Sequence, residues 1–160
     1  MKNMLSAVLI AAALGGGFLA EALAQANPNT LVSTRKAAMG LQNKYFGPIF
    51  AMSQGRAAFD QRIAQRNADY LIVLTQLAWD DFQPTTVGAA NTRAKEEIYS
   101  DPARFRTRYE GLQAEVQKLA AATKSGDQNM LKASANAVAG ACNGCHEAFS
   151  TNPFRFAIQP

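Results

Sequence analysis

Cys142, Cys145 and His146 stand in the run Cys-Asn-Gly-Cys-His, and the chain contains no other cysteine and no other histidine. Two thiols three residues apart, followed at once by an imidazole, supply from one turn what a covalently attached haem requires: a thioether to each of its two vinyl groups and an axial nitrogen for its iron. In a helical segment the 142/145 and 142/146 spacings bring all three side chains out on one face. Asn143 and Gly144, both small, are expected to spare the macrocycle a clash, although Gly144 lowers helix propensity by about 1 kcal/mol. Other uses of a Cys-x-x-Cys pair fit poorly. A thioredoxin-like pair opens a helix within a βαβ pattern that this chain lacks. A zinc site finds no further cysteine or histidine and would have to complete itself with carboxylates. A disulfide, the usual fate of two cysteines in an exported chain, would have to close within an Ala-rich helical segment.

Because His146 is the only histidine, a second imidazole cannot reach the iron, so the sixth position is either open or filled by methionine. Met130 precedes His146 by sixteen residues on the same helix, about 24 Å at 1.5 Å per residue, and is expected in the core. Met52 lies past Pro48 and points roughly opposite to Met39. Met39 remains, as a sixth ligand or as an ordinary core residue. Arg35, one turn before it on the same side, either pairs a haem propionate or is a solvated helix charge.

These residues need elements to carry them. Lys2 and the apolar stretch from Met4 to Ala20, with Ala22 and Ala24 flanking Leu23, read as a secretory signal cleaved after Ala24. Residues 25–160 then form one exported domain, long enough to bury a core without disulfides and without a membrane span. Val32, Met39, Phe46 and Phe50 mark a first helix from Asn29 to about Met52, with a bend at Pro48. Phe59, Ile63, Tyr70, Val73, Leu74, Leu77 and Phe82 mark a second, ending near Phe82. Gln83 to Ser100 carries no sustained apolar period and is expected to be a long crossover with a structural task. Asp101-Pro102 opens a third helix through Phe105, Tyr109, Leu112, Val116 and Leu119, which Ser125-Gly126 closes. Asp127 caps a fourth, whose inward side is Met130, Leu131, Ala135, Val138, Cys142, Cys145 and Phe149, with Asn152-Pro153 as its stop. The pattern predicts an all-α, antiparallel four-helix bundle with a long crossover between its second and third helices.

The net charge of +4 is mildly basic. Lys and Arg are interspersed with acids rather than gathered into a stripe, which argues against a nucleic-acid partner and leaves only weak steering of an acidic redox partner. No second His, Cys or carboxylate pairs with the distal space, so no enzyme activity is expected.

From about Leu31 to Phe149 the chain resembles cytochrome c′ and its low-spin relative of the c-556 type. The resemblance rests on Arg35-Lys36-Ala37-Ala38-Met39, Trp79-Asp80-Asp81-Phe82, Glu97-Ile98-Tyr99-Ser100-Asp101 and Cys142-Asn143-Gly144-Cys145-His146-Glu147-Ala148-Phe149. It implies a left-handed bundle, often a homodimer, in the periplasm, with one haem c and His146 as axial iron ligand. It matches Arg35 to the family's propionate arginine, Met39 to the distal position, and Phe82 and Trp79 to aromatic packing at the haem. Members of the c′ type bind nitric oxide or carbon monoxide, whereas c-556 members take methionine as a sixth ligand and carry electrons. The family usually has Arg or Lys where this chain has Ser150, and its tail is shorter than Thr151–Pro160, which is expected to fray unless Arg155 returns to replace the missing cation.

Overall fold

The structure, a computed structural model, describes residues 26–158. The expected leader and its cleavage site lie outside the described residues. Five α-helices follow in order: α1 (Pro28–Ser53), α2 (Gln61–Leu74), α3 (Glu97–Ser100), α4 (Pro102–Ser125) and α5 (Gln128–Phe149). Their starts are written in short polar side chains that accept from the otherwise orphaned first amides. Asn27 accepts from the Asn29 amide, Asp60 from Ile63, Asp101 from Arg104, and Asp127 from both Asn129 and Met130. Gly126, at φ +73°, ends α4 in the left-handed conformation that glycine adopts without steric cost.

The four long helices form a closed ring in which α1 packs on α2, α2 on α4, α4 on α5, and α5 on α1. Side-chain amides fix the antiparallel sense. Gln61 at the start of α2 donates to the Thr123 carbonyl near the end of α4 at 3.3 Å, whereas Gln113 in mid-α4 donates to Thr75 just past α2 at 3.1 Å. Gln42 likewise reaches the Leu74 carbonyl at 3.0 Å, and Gln54 reaches Asn136 at 2.8 Å. This is the expected antiparallel bundle. No helix among the described residues is long and apolar enough to cross a membrane.

The first helix spans nearly the expected residues and runs through Pro48 to Ser53. The proline ring forfeits one backbone hydrogen bond, but buried Phe46, Ile49 and Phe50 around it anchor the turn. Three expectations need correction. The second helix ends at Leu74 rather than near Phe82, and turns follow. Its apolar stripe is also out of phase: Tyr70, Val73 and Leu77 are 46%, 57% and 53% exposed, while Ala64, Ala68 and Leu71 face the core with Asn67. Small alanines let α2 approach its neighbours closely, so burial there follows size rather than hydropathy. Met130, expected in the core, is 50% exposed in the first turn of α5, and Leu131 beside it takes the inward position.

The crossover from Thr75 to Asp101 is not featureless. It holds a 3-10 turn at Pro84–Thr86 and the short α3, and it pairs along the end of α5. The Lys95 amide donates to Phe149 and the Thr151 amide to Arg93, on either side of an antiparallel bridge between Ala94 and Ser150.

Candidate functional site

Between α1, α5, the crossover and the residues after α5 lies a cavity of about 410 Å³, within the roughly 300–1,000 Å³ common for cofactor and ligand sites. Arg35, Met39, Trp79, Phe82, Cys142, Cys145 and His146 all line it. The structure therefore brings together the five residues that spacing singled out and the two aromatics that the resemblance implied, from three separate stretches of the chain.

On α5 the helical register places Cys142, Cys145 and His146 together on the cavity wall, as expected. The two thiols are unbridged and half-buried. Lost solvation pushes Cys142 up to about 12, helped by its neighbour Cys145, and pushes Cys145 up to about 11 against the pull of Arg108. Raised in this way, neither thiol has the lowered pKa that marks a reactive redox pair. Gly144 does not face the cavity: a side chain there would meet the Arg108 guanidinium on α4 at 3.5 Å. Nor does Asn143 line it. Instead Asn143 donates from Nδ2 to the Phe156 carbonyl at 2.9 Å and accepts from the Phe156 amide at 2.8 Å.

Opposite, on α1, Arg35 is only 4% exposed. Its guanidinium donates to the Thr86 hydroxyl at 3.0 Å, the Thr92 hydroxyl at 2.5 Å and the Asp81 carbonyl at 3.3 Å, and lies 4.6 Å from the centre of the Phe82 ring. All of these acceptors are neutral. The nearby Asp81 carboxyl is raised above its ordinary range, chiefly by lost solvation and then by Asp80, with Arg35 opposing. A buried cation without an ion pair is costly unless an anion completes it, so Arg35 gives the apolar cavity a built-in preference for a ligand bearing a carboxylate. Met39 is half-buried, one turn further along the same wall. Met52 is held elsewhere, its sulfur 3.5 Å from the Asp60 amide.

Aromatic rings close the crossover side. Trp79 stacks on Tyr109 at 4.5 Å and on Phe82 at 6.2 Å, while Phe105 meets Phe149 edge-on at 5.3 Å. The Trp79 indole donates to the Thr75 carbonyl, so the ring is both stacked and tethered.

The described part of the tail, through Ile158, does not fray. Phe156 packs edge-on against Phe46 and Phe50 at 4.8 and 5.3 Å, and His146 Nδ1 lies 3.0 Å from the Phe154 carbonyl. Arg155 does not take over the position of Ser150; it pairs with Glu147 at 3.3 Å on the surface. A cation does reach the end of α5, but from the crossover: Lys95 Nζ donates to the Glu147 and Ala148 carbonyls at 3.2 and 3.3 Å, where the helix dipole is negative. The Asn143 clasp and the Lys95 cap are the contributions that sequence reasoning missed. Phe154 and Phe156 in an otherwise unstructured end were the available signal for the tail.

Two free thiols beside an imidazole, an apolar cavity next to them and a buried guanidinium with neutral hydrogen-bond partners across it form a donor set that fits haem c. The family model described as cytochrome C′ matches residues 30–150. Cytochrome c′ from Rubrivivax gelatinosus is 37% identical over 122 residues, covering 76% of this chain and 95% of that one. Cytochrome c′ from Alcaligenes xylosoxydans xylosoxydans is 33% identical over 124 residues, covering 78% and 95%. The crystal structure of the Rubrivivax protein superposes with a TM-score of 0.74 at 36% identity, over 78% of this chain and 98% of that chain. A nitric oxide complex of a variant cytochrome c′ from Alcaligenes xylosoxidans gives 0.73 at 31% identity, over 79% and 98%.

Proposed function

The chain belongs to the cytochrome c′ family, and from that premise we propose that it is a mono-haem c-type cytochrome that binds nitric oxide or carbon monoxide and passes single electrons. The bound haem supplies a one-electron iron centre with an axial position for a diatomic ligand. Cys142 and Cys145 are assigned the two thioethers, His146 the axial nitrogen and Arg35 a propionate, with Phe82 and Trp79 against the macrocycle. The observation that carries this reading is the charge of Arg35: a buried guanidinium whose partners are all neutral faces the thiols and imidazole across one cavity.

Met39 decides between the two versions of this function. In the c′ version its side chain crowds the distal space without bonding the metal and leaves room for a small apolar gas; of the side-chain donors that α1 brings to the cavity, Arg35 is engaged with Thr86 and Thr92 and Gln42 with the Leu74 carbonyl, and Lys36 and Asn43 complete the set. In the c-556 version its sulfur is the sixth ligand and the protein only carries electrons. Absorption spectra of the ferric and ferrous protein separate them. The c′ version expects high-spin spectra that Met39→Ala leaves in the same spin state; low-spin spectra with a sulfur-to-iron charge-transfer band, lost in Met39→Ala, reject it. No residue is assigned a catalytic role.

Two further parts belong to the same reading. Lys2, the apolar run after it and the Ala22/Ala24 pair support export to the periplasm with residues 25–160 as the mature domain, which mass spectrometry of the secreted protein tests. Leu41, Tyr70, Val73 and Leu77, exposed on and beside α1 and α2, support a homodimer. Sedimentation should show two copies, and Val73→Lys should shift them toward one.

A further inference from the structure

The chain after α5 doubles back onto the segment that carries the thiols and the imidazole. Asn143 clasps the Phe156 backbone at two points, 2.9 and 2.8 Å, and the Phe156 ring seats against Phe46 and Phe50 of α1. Between the clasp and the helix end, the Phe154 carbonyl comes to 3.0 Å from His146 Nδ1. We infer that this tail is a positioning strap for the axial imidazole, with the Phe154 carbonyl accepting from Nδ1–H.

A carbonyl oxygen only accepts, so Nδ1 must carry the ring proton. A neutral imidazole has one such proton, which leaves Nε2 with the free lone pair. The contact thus selects the tautomer that presents Nε2 to a metal and restrains the ring about its own axis. An imidazole that donates its second N–H to a carbonyl is also a more basic ligand, which favours the higher oxidation state of the metal it holds. The carbonyls at this end of α5 are already engaged, that of His146 by the Ser150 amide and those of Glu147, Ala148 and Phe149 by Lys95, so the acceptor comes from another segment. Seating Phe156 on two buried rings offsets the entropy of ordering the tail. Asn143, the first residue between the thiols, thereby has a task unrelated to space for the macrocycle.

The inference rests on His146 being the iron ligand. Its test uses the haem-loaded protein and two readouts that a purely structural tail would leave in place: the iron–imidazole stretching frequency in the ferrous state and the reduction potential. Truncation after Asn152 is expected to lower the frequency and raise the potential. Full-length protein carrying Asn143→Ala with Phe156→Ala, which frees the tail without deleting it, is expected to shift both the same way and serves if the truncated chain does not fold. Arg155→Ala removes the surface pair with Glu147 and is expected to leave both unchanged. Unaltered frequency and potential in a folded, haem-bearing tail variant overturn the strap. So does a shift in Arg155→Ala as large as that of the truncation, because the effect would then lie in charge. Failure of the underlying reading looks different: the unaltered chain would carry no covalent haem, or would show no iron–imidazole band.

Discussion

The two ends of the bundle are built on opposite terms. Around Ile49, Ala64, Leu119, Leu131 and Ala135 the interior is closed to solvent and mostly apolar, with Asn67 and Thr123 as buried polar side chains. At the other end the same helices separate around a cavity of about 410 Å³ that holds a buried arginine, two thiols and an imidazole. An interior packed to crystal-like density is stable but has no room for a ligand; an open, charged interior costs stability until something fills it. The difference teaches how a small bundle keeps a preformed site: tight packing at one end offsets the opening at the other, where aromatic rings, the crossover and the tail serve as walls in place of interdigitated side chains.

The sharpest break of this comparison is to remove what fills the open end. Cys142→Ser with Cys145→Ser is expected to abolish covalent haem altogether, read as loss of haem from the protein band on a denaturing gel, while helix content from the closed end persists in circular dichroism. Next in size is an attack on the closed end itself. Leu119, fully buried, should cost about 2–5 kcal/mol when cut to alanine, measured by denaturant titration, with the haem spectrum unchanged. A large spectral change in Leu119→Ala would mean that the ends are not independent. Smaller again, and opposite in sign between states, is Arg35→Leu. Without haem, in the double-serine background, relief of an unpaired buried cation should leave the bundle as stable or more so. With haem, the loss of a charged hydrogen bond should shrink the stabilisation by about 1.5–3 kcal/mol.

How much of this was legible follows the same division. The start of α4 is readable because Asp101 and Pro102 are adjacent local signals, and its end because Gly126 is one too. The thiols, His146, Arg35 and Met39 are readable because helical spacing alone puts each set on one face. The register of α2 was not, since its buried face is carried by Ala64 and Ala68, whose hydropathy is slight, while bulkier Tyr70, Val73 and Leu77 point outward. The partners of Arg35 were not, since Thr86 and Thr92 lie 51 and 57 residues away and meet it only through the path of the crossover. Asn143 and Phe156 are a third case: thirteen residues apart, they join a side-chain amide to backbone groups of the tail, which apolar side-chain patterns do not encode.

The smallest expected effect tests whether the cost of the open end is shared beyond Arg35. Lost solvation and the neighbouring Asp80 raise the Asp81 carboxyl in the folded chain, with Arg35 opposing. A carboxyl bound more tightly to its proton when folded contributes stability that is fully present below its unfolded pKa and is lost as pH rises through the folded one. Asp81→Asn, which resembles the protonated form, should therefore match the parent in strongly acidic solution and be slightly more stable at neutral pH. Added salt separates the causes: it screens the repulsion from Asp80 but not the loss of solvation. Because Arg35 holds the carboxyl down, the gain from Asp81→Asn should grow in the Arg35→Leu background, and a double-mutant cycle on the haem-free chain measures that coupling. A coupling near zero would confine the cost of the open end to the arginine, and a positive one would extend it to the turn that ends in Phe82.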